Sequence, residues 1–255
     1  MKIQLWRNAT VHLSIAGKKL LIDPMLGEKG SFGPFPWSKD KRDNPLVDLP
    51  FTDKELKNIL AEVDFILVSH LHPDHWDETA VELLEKQIPI ICDERIEGEI
   101  RKYGFTNIKA INDELNISGF NVKITPGLHG TGEIGEKMGE VNGFIVSANE
   151  DSIYFIGDSI YSDEIKQTVI AHDPDILIVA AGSAKFQIGD EVTMTAEQVI
   201  RLCKDFPEKK VVITHLEAVS PCTEDRNYNR TILDQNGLLS RCIIPEDGDW
   251  INFNI

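Results

Sequence analysis

A chain of 255 residues with a 42% hydrophobic composition carries enough apolar material for one substantial core, and a single domain over 1–255 is the expected organisation. No window reaches the ~18 uninterrupted apolar residues of a membrane span, and residues 1–7 lack the apolar region of a secretory leader, so a cytoplasmic protein with no membrane partner is expected. The formal net charge of −16 repels polyanions, which argues against nucleic acid as a partner and favours capture of divalent cations.

In chain order, "TVHLSI" (10–15) alternates and "KKLLID" (18–23) follows a turn at Gly17, the pattern of a hairpin. Residues 27–50 are crowded with Gly and Pro around Phe32, Phe35 and Trp37. That is too long for a plain connection, and the segment reads either as a lid or binding loop or as a surface excursion burying its own aromatics. Thr52 with Glu55 three residues on makes a capping box for a helix over "TDKELKNILAE". The wholly apolar "FILVS" (65–69) then reads as a strand buried on both faces. Alternation continues with a helix near 77–86, strand "IPIIC", helix "RIEGEIRKYG" and strand "NVKIT". The second half repeats it: "GFIVSA", "SIYFIG", a helix after Ser162, "DILIVAA", a helix from Thr195 and "KVVIT". Two β-rich halves, each carrying helices, predict an α+β sandwich with helices covering the outside. Cys92, Cys203, Cys222 and Cys242 are far apart with no C-x-x-C pair, and read as reduced thiols, mostly in the core.

At the end of "FILVS" stands His70-x-His72-x-Asp74-His75. Residues two apart on an extended chain point the same way, so His70 and His72 could grip one ion, with Asp74 and His75 turned toward a second position. Pro73 discourages a helix there. Clustered imidazoles repel when protonated and compete for donors when neutral, and a metal resolves both difficulties. Zinc needs at least three protein ligands, so others must come from elsewhere in the chain. Three candidates follow apolar strands in the same way: His129 after "NVKITPGL", Asp158 after "SIYFIG" and His215 after "VVIT". Gly127 and Gly130 flank His129 and Gly157 precedes Asp158, where small residues let backbone approach a crowded centre.

This set, H-x-H-x-D-H, a Gly-flanked His, Gly-Asp and a strand-end His, resembles the metallo-β-lactamase superfamily over most of the chain, which implies a four-layer αββα sandwich with metals at one edge. The opening "NATVHLSIAGKKLLIDPML" is similar to its ascorbate-6-phosphate lactonase-like branch, with Asn8 where that branch often has a Gly-His pair and Asp23 as a support near the site. The resemblance implies that His70, His72 and His129 hold a first metal, that Asp74, His75 and His215 hold a second, and that Asp158 bridges them. Two divalent ions are implied, Zn2+ ahead of Mn2+ or Fe2+. The implied activity is a metal-dependent hydrolase that uses a metal-bridging hydroxide on a small ester, lactone or phosphodiester.

Asp74, between the ions, is the candidate catalytic residue, holding the attacking water and passing a proton to the leaving group. The expected partner is a small molecule, and a homo-oligomer is compatible with the sequence. Two alternatives remain, an iron-dependent oxidoreductase on the same scaffold and a non-catalytic metal-binding regulatory protein. His12 and His172 read as structural. Lys185 and Gln187 follow a strand and read as a solvated turn, with contact to an anionic substrate as the alternative. The Gly-rich stretch after His129 reads as a flexible rim.

Overall fold

The computed structural model describes residues 1–253, and the apolar runs fall where burial on two faces requires them. The first sheet opens with the meander β1 (Lys2–Arg7), β2 (Thr10–Ile15) and β3 (Lys18–Ile22), all antiparallel, and continues in parallel through β4 (Phe65–Val68), β5 (Ile90–Asp93) and β6 (Ile108–Ile111). The second sheet has the same plan. Its antiparallel β7 (Glu114–Ile117), β8 (Phe120–Gly127), β9 (Val141–Ala148) and β10 (Asp151–Phe155) lead into parallel β11 (Ile176–Ala180), β12 (Lys210–Thr214) and β13 (Cys242–Ile243). The terminal β14 (Trp250–Asn252) returns to the first sheet beside β1.

Side-chain alternation builds the layers. In β4, Phe65 and Leu67 enter the core between the sheets, where they meet Phe144, Val146 and Phe155, while Ile66 and Val68 face helices. Those helices are α1 (Asp53–Leu60), α2 (Glu78–Leu83) and α3 (Glu94–Lys102). On the far side α5 (Asp163–His172), α6 (Ala196–Asp205) and α7 (Arg226–Gln235) cover the second sheet through Val169, Val199 and Leu233. The result is the expected αββα sandwich. Thr52 caps α1 with the anticipated box: its hydroxyl accepts from Glu55 N at 3.4 Å while the Glu55 carboxylate accepts from Thr52 N at 2.8 Å. Among the described residues no helix is long and apolar enough to cross a membrane.

One expectation is corrected. Residues 132–138, read as a flexible rim, form α4 (Gly132–Met138), pinned by buried Ile134 packing on Ala184 and Val192. One apolar side chain with a partner across the loop orders a segment whose glycines alone suggest mobility. Strands β1, β6, β7, β13 and β14 and helix α7 lie outside the elements expected from the sequence; β6 and β7 are half-buried at sheet edges and α7 is strongly polar, so their hydrophobic pattern is weak.

His12 is structural, as expected. It lies on the outer face of β2 between the rings of Trp6 (5.9 Å) and Trp250 (5.3 Å), and neither ring nitrogen has a partner. Burial lowers its pKa from 6.5 to about 4, Lys19 adding to the effect and Glu62 opposing it. The folded protein refuses a proton that the unfolded chain takes up near pH 6.5. His12's share of stability is therefore complete above that pH and lost as pH falls toward 4, by up to about 3 kcal/mol. In His12→Leu the urea-unfolding free energies at pH 7 and pH 4 are expected to converge by roughly that amount. An identical pH dependence in variant and parent would refute the assignment.

Candidate metal centre

The strands deliver the candidate side chains to one edge. Asp23 follows β3 directly, His70 lies two residues past β4, His129 two past β8, Asp158 three past β10, and His215 directly follows β12. Within each sheet these strands run in the same direction, so their C-terminal ends gather where an open α/β sheet presents its ligands. The turn carrying the quartet is fixed by His75 N and Trp76 N, both donating to His72 O at 2.9 Å, and by Trp76 buried against Phe105. Gly157 has φ +72, and a Cβ there would stand 2.5 Å from Asn142 O, so only glycine lets the chain enter Asp158 at this angle.

All seven residues come together in two groups. His70, His72 and His129 offer ligand atoms to one point, while Asp74, His75, Asp158 and His215 offer theirs to another. All are buried except half-buried His72. Asp158 faces both groups: Oδ1 is 3.3 Å from His75 Nε2, and Oδ2 is 3.3 Å from His215 Nε2 and 3.6 Å from His129 Nε2. Asp74 Oδ2 is 3.1 Å from His215 Nε2.

Outer contacts decide which imidazole nitrogen faces inward. Asp23, fully buried, accepts at Oδ2 from His75 Nδ1 at 2.8 Å and at Oδ1 from Ser69 N at 2.7 Å. A carboxylate only accepts, so His75 keeps a proton on Nδ1, and Nε2 is the atom it can offer to a metal once its own proton is displaced. Val192 O does the same for His129 Nδ1 at 2.9 Å. His75 Nε2 and Asp158 Oδ1 are buried with no hydrogen-bond partner, and His70 Nε2 faces His72 Nδ1 at 3.0 Å.

Charge tells the same story. Burial depresses His70 well below its usual range and takes His129 to about 4, so both are neutral. Burial alone would lower His75 too, but Asp158 and Asp74 outweigh it and push it up to about 10; His215 is likewise raised. Desolvation is also overcome at Asp74, which His75 and His215 draw down to about 2. Two buried carboxylates thus demand positive charge that protons on histidine or a cation must supply. A nitrogen- and carboxylate-rich donor set with a buried imidazole nitrogen and a buried carboxylate oxygen that lack hydrogen-bond partners fits divalent metal.

Asn8 braces the cluster, a placement that the sequence does not announce. Buried at φ +53, it donates from Nδ2 to Asp74 O at 3.2 Å and Asp74 Oδ2 at 3.4 Å, while its carbonyl accepts from His215 N at 2.9 Å. It ties a residue of the first half of the chain to one of the second. Nothing in the local pattern around an asparagine after a strand announces this. Cys222 Sγ lies 3.4 Å from His215 Nδ1, behind the ring and outside the ligand groups. Lys185 pairs with Glu191 on the surface, and Gln187 bonds to the 27–50 segment, so neither lines the cavity over the cluster.

That cavity, about 240 Å3, has His72, Asp74, His129, Asp158 and His215 in its lining. A wider groove of about 970 Å3 touches the cluster only at His129. Segment 27–50 supplies Phe35, Pro36 and Trp37 to the lining of the smaller cavity, while Phe32 and Phe35 also pack on each other at 5.6 Å.

A two-sheet αββα sandwich with a histidine-aspartate centre at its strand ends defines the class of metal-dependent hydrolases with a metallo-β-lactamase-like fold. Residues 18–216 match the model of the Beta-lactamase superfamily domain. UPF0173 protein YddR of Bacillus subtilis is 34% identical over 258 residues, covering 99% of this chain and 100% of that protein. Among solved structures, a possible metal-dependent hydrolase from Veillonella parvula superposes with a TM-score of 0.94 at 27% identity, covering 99% of each chain. The isothiocyanate hydrolase from Delia radicum gut bacteria superposes with a TM-score of 0.93 at 32% identity, again covering 99% of each. The chain belongs to the beta-lactamase superfamily, and its relatives lie in the UPF0173 group.

Proposed function

We propose that residues 1–255 form one hydrolase domain in which His70, His72 and His129 hold one divalent ion, Asp74, His75 and His215 hold a second, and Asp158 faces both, with Zn2+ first among the candidate metals. The observation that carries this reading is the pair of converging ligand groups at the floor of a 240 Å3 cavity. Bound there, divalent metal supplies Lewis acidity and makes water nucleophilic near neutral pH.

The chain's own residues do the rest. Asp74 keeps Oδ2 against His215 and Asn8, which leaves Oδ1 to orient an attacking water, take its proton and return it to the leaving group. Asp23 and Val192 O hold His75 and His129 in one tautomer each, so the donor set is organised before substrate arrives. The substrate is a small ester, lactone or phosphodiester, and the likeness to an isothiocyanate hydrolase adds the uncharged carbon of an isothiocyanate to that range.

Metal-loaded protein should be screened against lactones, thioesters, phosphodiesters, β-lactams and isothiocyanates, beside a His70→Ala control. One class is expected to turn over, with a loss on the order of 10²-fold or more in the control. Hydrolysis that persists undiminished in His70→Ala would place the activity at another centre.

A further inference from the structure

We infer that the outer wall of the cavity, built by Phe35, Trp37, Met138, Phe186 and Val219, is a specificity surface for an uncharged, apolar substrate tail of about benzyl size; this rests on the hydrolase reading above. The volume is one argument. At about 240 Å3 the cavity exceeds the roughly 150 Å3 that accommodates a benzene molecule, which leaves space for a ring and the few atoms of a reacting group.

Charge is the second argument. Outside the histidine-aspartate cluster, Lys137 is the lone charged side chain in the lining among the described residues. Its ammonium is already engaged, lying 4.9 Å from the centre of the Trp37 ring and 3.7 Å from Glu133 Oε1. No free cation, amide or hydroxyl in the wall stands ready for an anionic tail, and a net charge of −16 disfavours one at long range.

The backbone at Trp37 is the third. It holds a bulky residue at φ +57, a left-handed conformation that such side chains rarely adopt and that clusters at functional sites. The surroundings enforce it: Gln187 N donates to Trp37 O at 3.0 Å, and Gln187 Nε2 donates to Ser38 O at 3.1 Å. The ring nevertheless remains 40% exposed at the cavity mouth, an apolar surface awaiting a partner.

The segment behind it is tethered. The buried Arg7 guanidinium donates to Val47 O, Met25 O and Gly27 O, each at 2.9 Å, and Asn44 Oδ1 accepts from Ser220 N at 2.8 Å. The wall is therefore formed before substrate binds, as selective small-molecule sites usually are.

The test compares methyl, butyl, benzyl and 4-carboxybenzyl members of one ester or isothiocyanate series, together with equilibrium binding of benzyl methyl ether, which cannot be hydrolysed. From methyl to benzyl, kcat/KM is expected to rise on the order of 10–100-fold, mostly through KM, and the carboxylated tail to lose about tenfold or more. In Trp37→Ala the benzyl gain should shrink below about threefold, with Trp37→Phe restoring most of it, and ether binding should weaken about tenfold.

Retention of the full benzyl gain in both Trp37→Ala and Phe186→Ala, or preference for the carboxylated tail, overturns the inference while leaving hydrolysis intact. Ether binding that depends on Trp37, in a protein that turns over nothing in the screen, overturns the hydrolase reading and leaves the wall standing.

Discussion

On the two-ion reading proposed above, Asp158→Asn is expected to lower turnover on the order of 10³-fold and to reduce bound metal from two ions per chain to one. Asp158 alone among the candidates reaches histidines of both groups, with oxygens within 3.3–3.6 Å of His75, His215 and His129. An amide of the same shape keeps the packing but removes the charge. Its NH2 group can also donate to an imidazole nitrogen that would otherwise be offered to metal, so the variant satisfies the cluster without the ion. The chain has little means of compensation, because the pocket is buried and Gly157 fixes the entry of the backbone. Metal content by elemental analysis and kcat/KM on the substrate that emerges from the screen check the outcome. Two ions and activity within tenfold of the parent would remove Asp158 from its place between the groups.

Asp23→Ala should weaken metal binding by about 10–100-fold although Asp23 is set behind His75 rather than in the cavity. Its carboxylate accepts from His75 Nδ1, Ser69 N and Ser69 Oγ, so it fixes both the ring that faces Asp158 and the strand end that launches the quartet. Alanine leaves two buried donors, Ser69 N and His75 Nδ1, without an acceptor, while Ser69 Oγ keeps His70 Nδ1 at 2.9 Å, and the metal-free fold is expected to lose about 3–5 kcal/mol as well. Two readouts separate orientation from bulk destabilisation. Chelator competition reports affinity in protein verified as folded, and Asp23→Asn, which retains one acceptor oxygen, should recover part of the metal affinity. Affinity within threefold of the parent in Asp23→Ala would show that the His75 tautomer needs no help.

Much of the layering was legible because burial leaves a short-range record. Strand β4 reads as wholly apolar because Phe65 and Leu67 face one core and Ile66 and Val68 another. The candidate site was legible for a related reason: histidines are few, and all seven residues in question follow closely on an apolar strand or the turn it launches. Edge strands such as β7, with alternating exposed and half-buried positions, left no such record, and α4 read as flexible because its one decisive contact, Ile134 with Val192, lies far along the chain.

The sequence by itself thus determined the layer order, the strand exits and the chemistry on offer at each, since periodicity and residue type are local properties of the chain. Only the tertiary structure decided that Asn8 joins Asp74 to His215, and that Trp37, Lys137 and Phe186 share one cavity wall. Those meetings depend on how two twisted sheets pack and where their loops then cross, a long-range geometry that no window of neighbouring residues encodes.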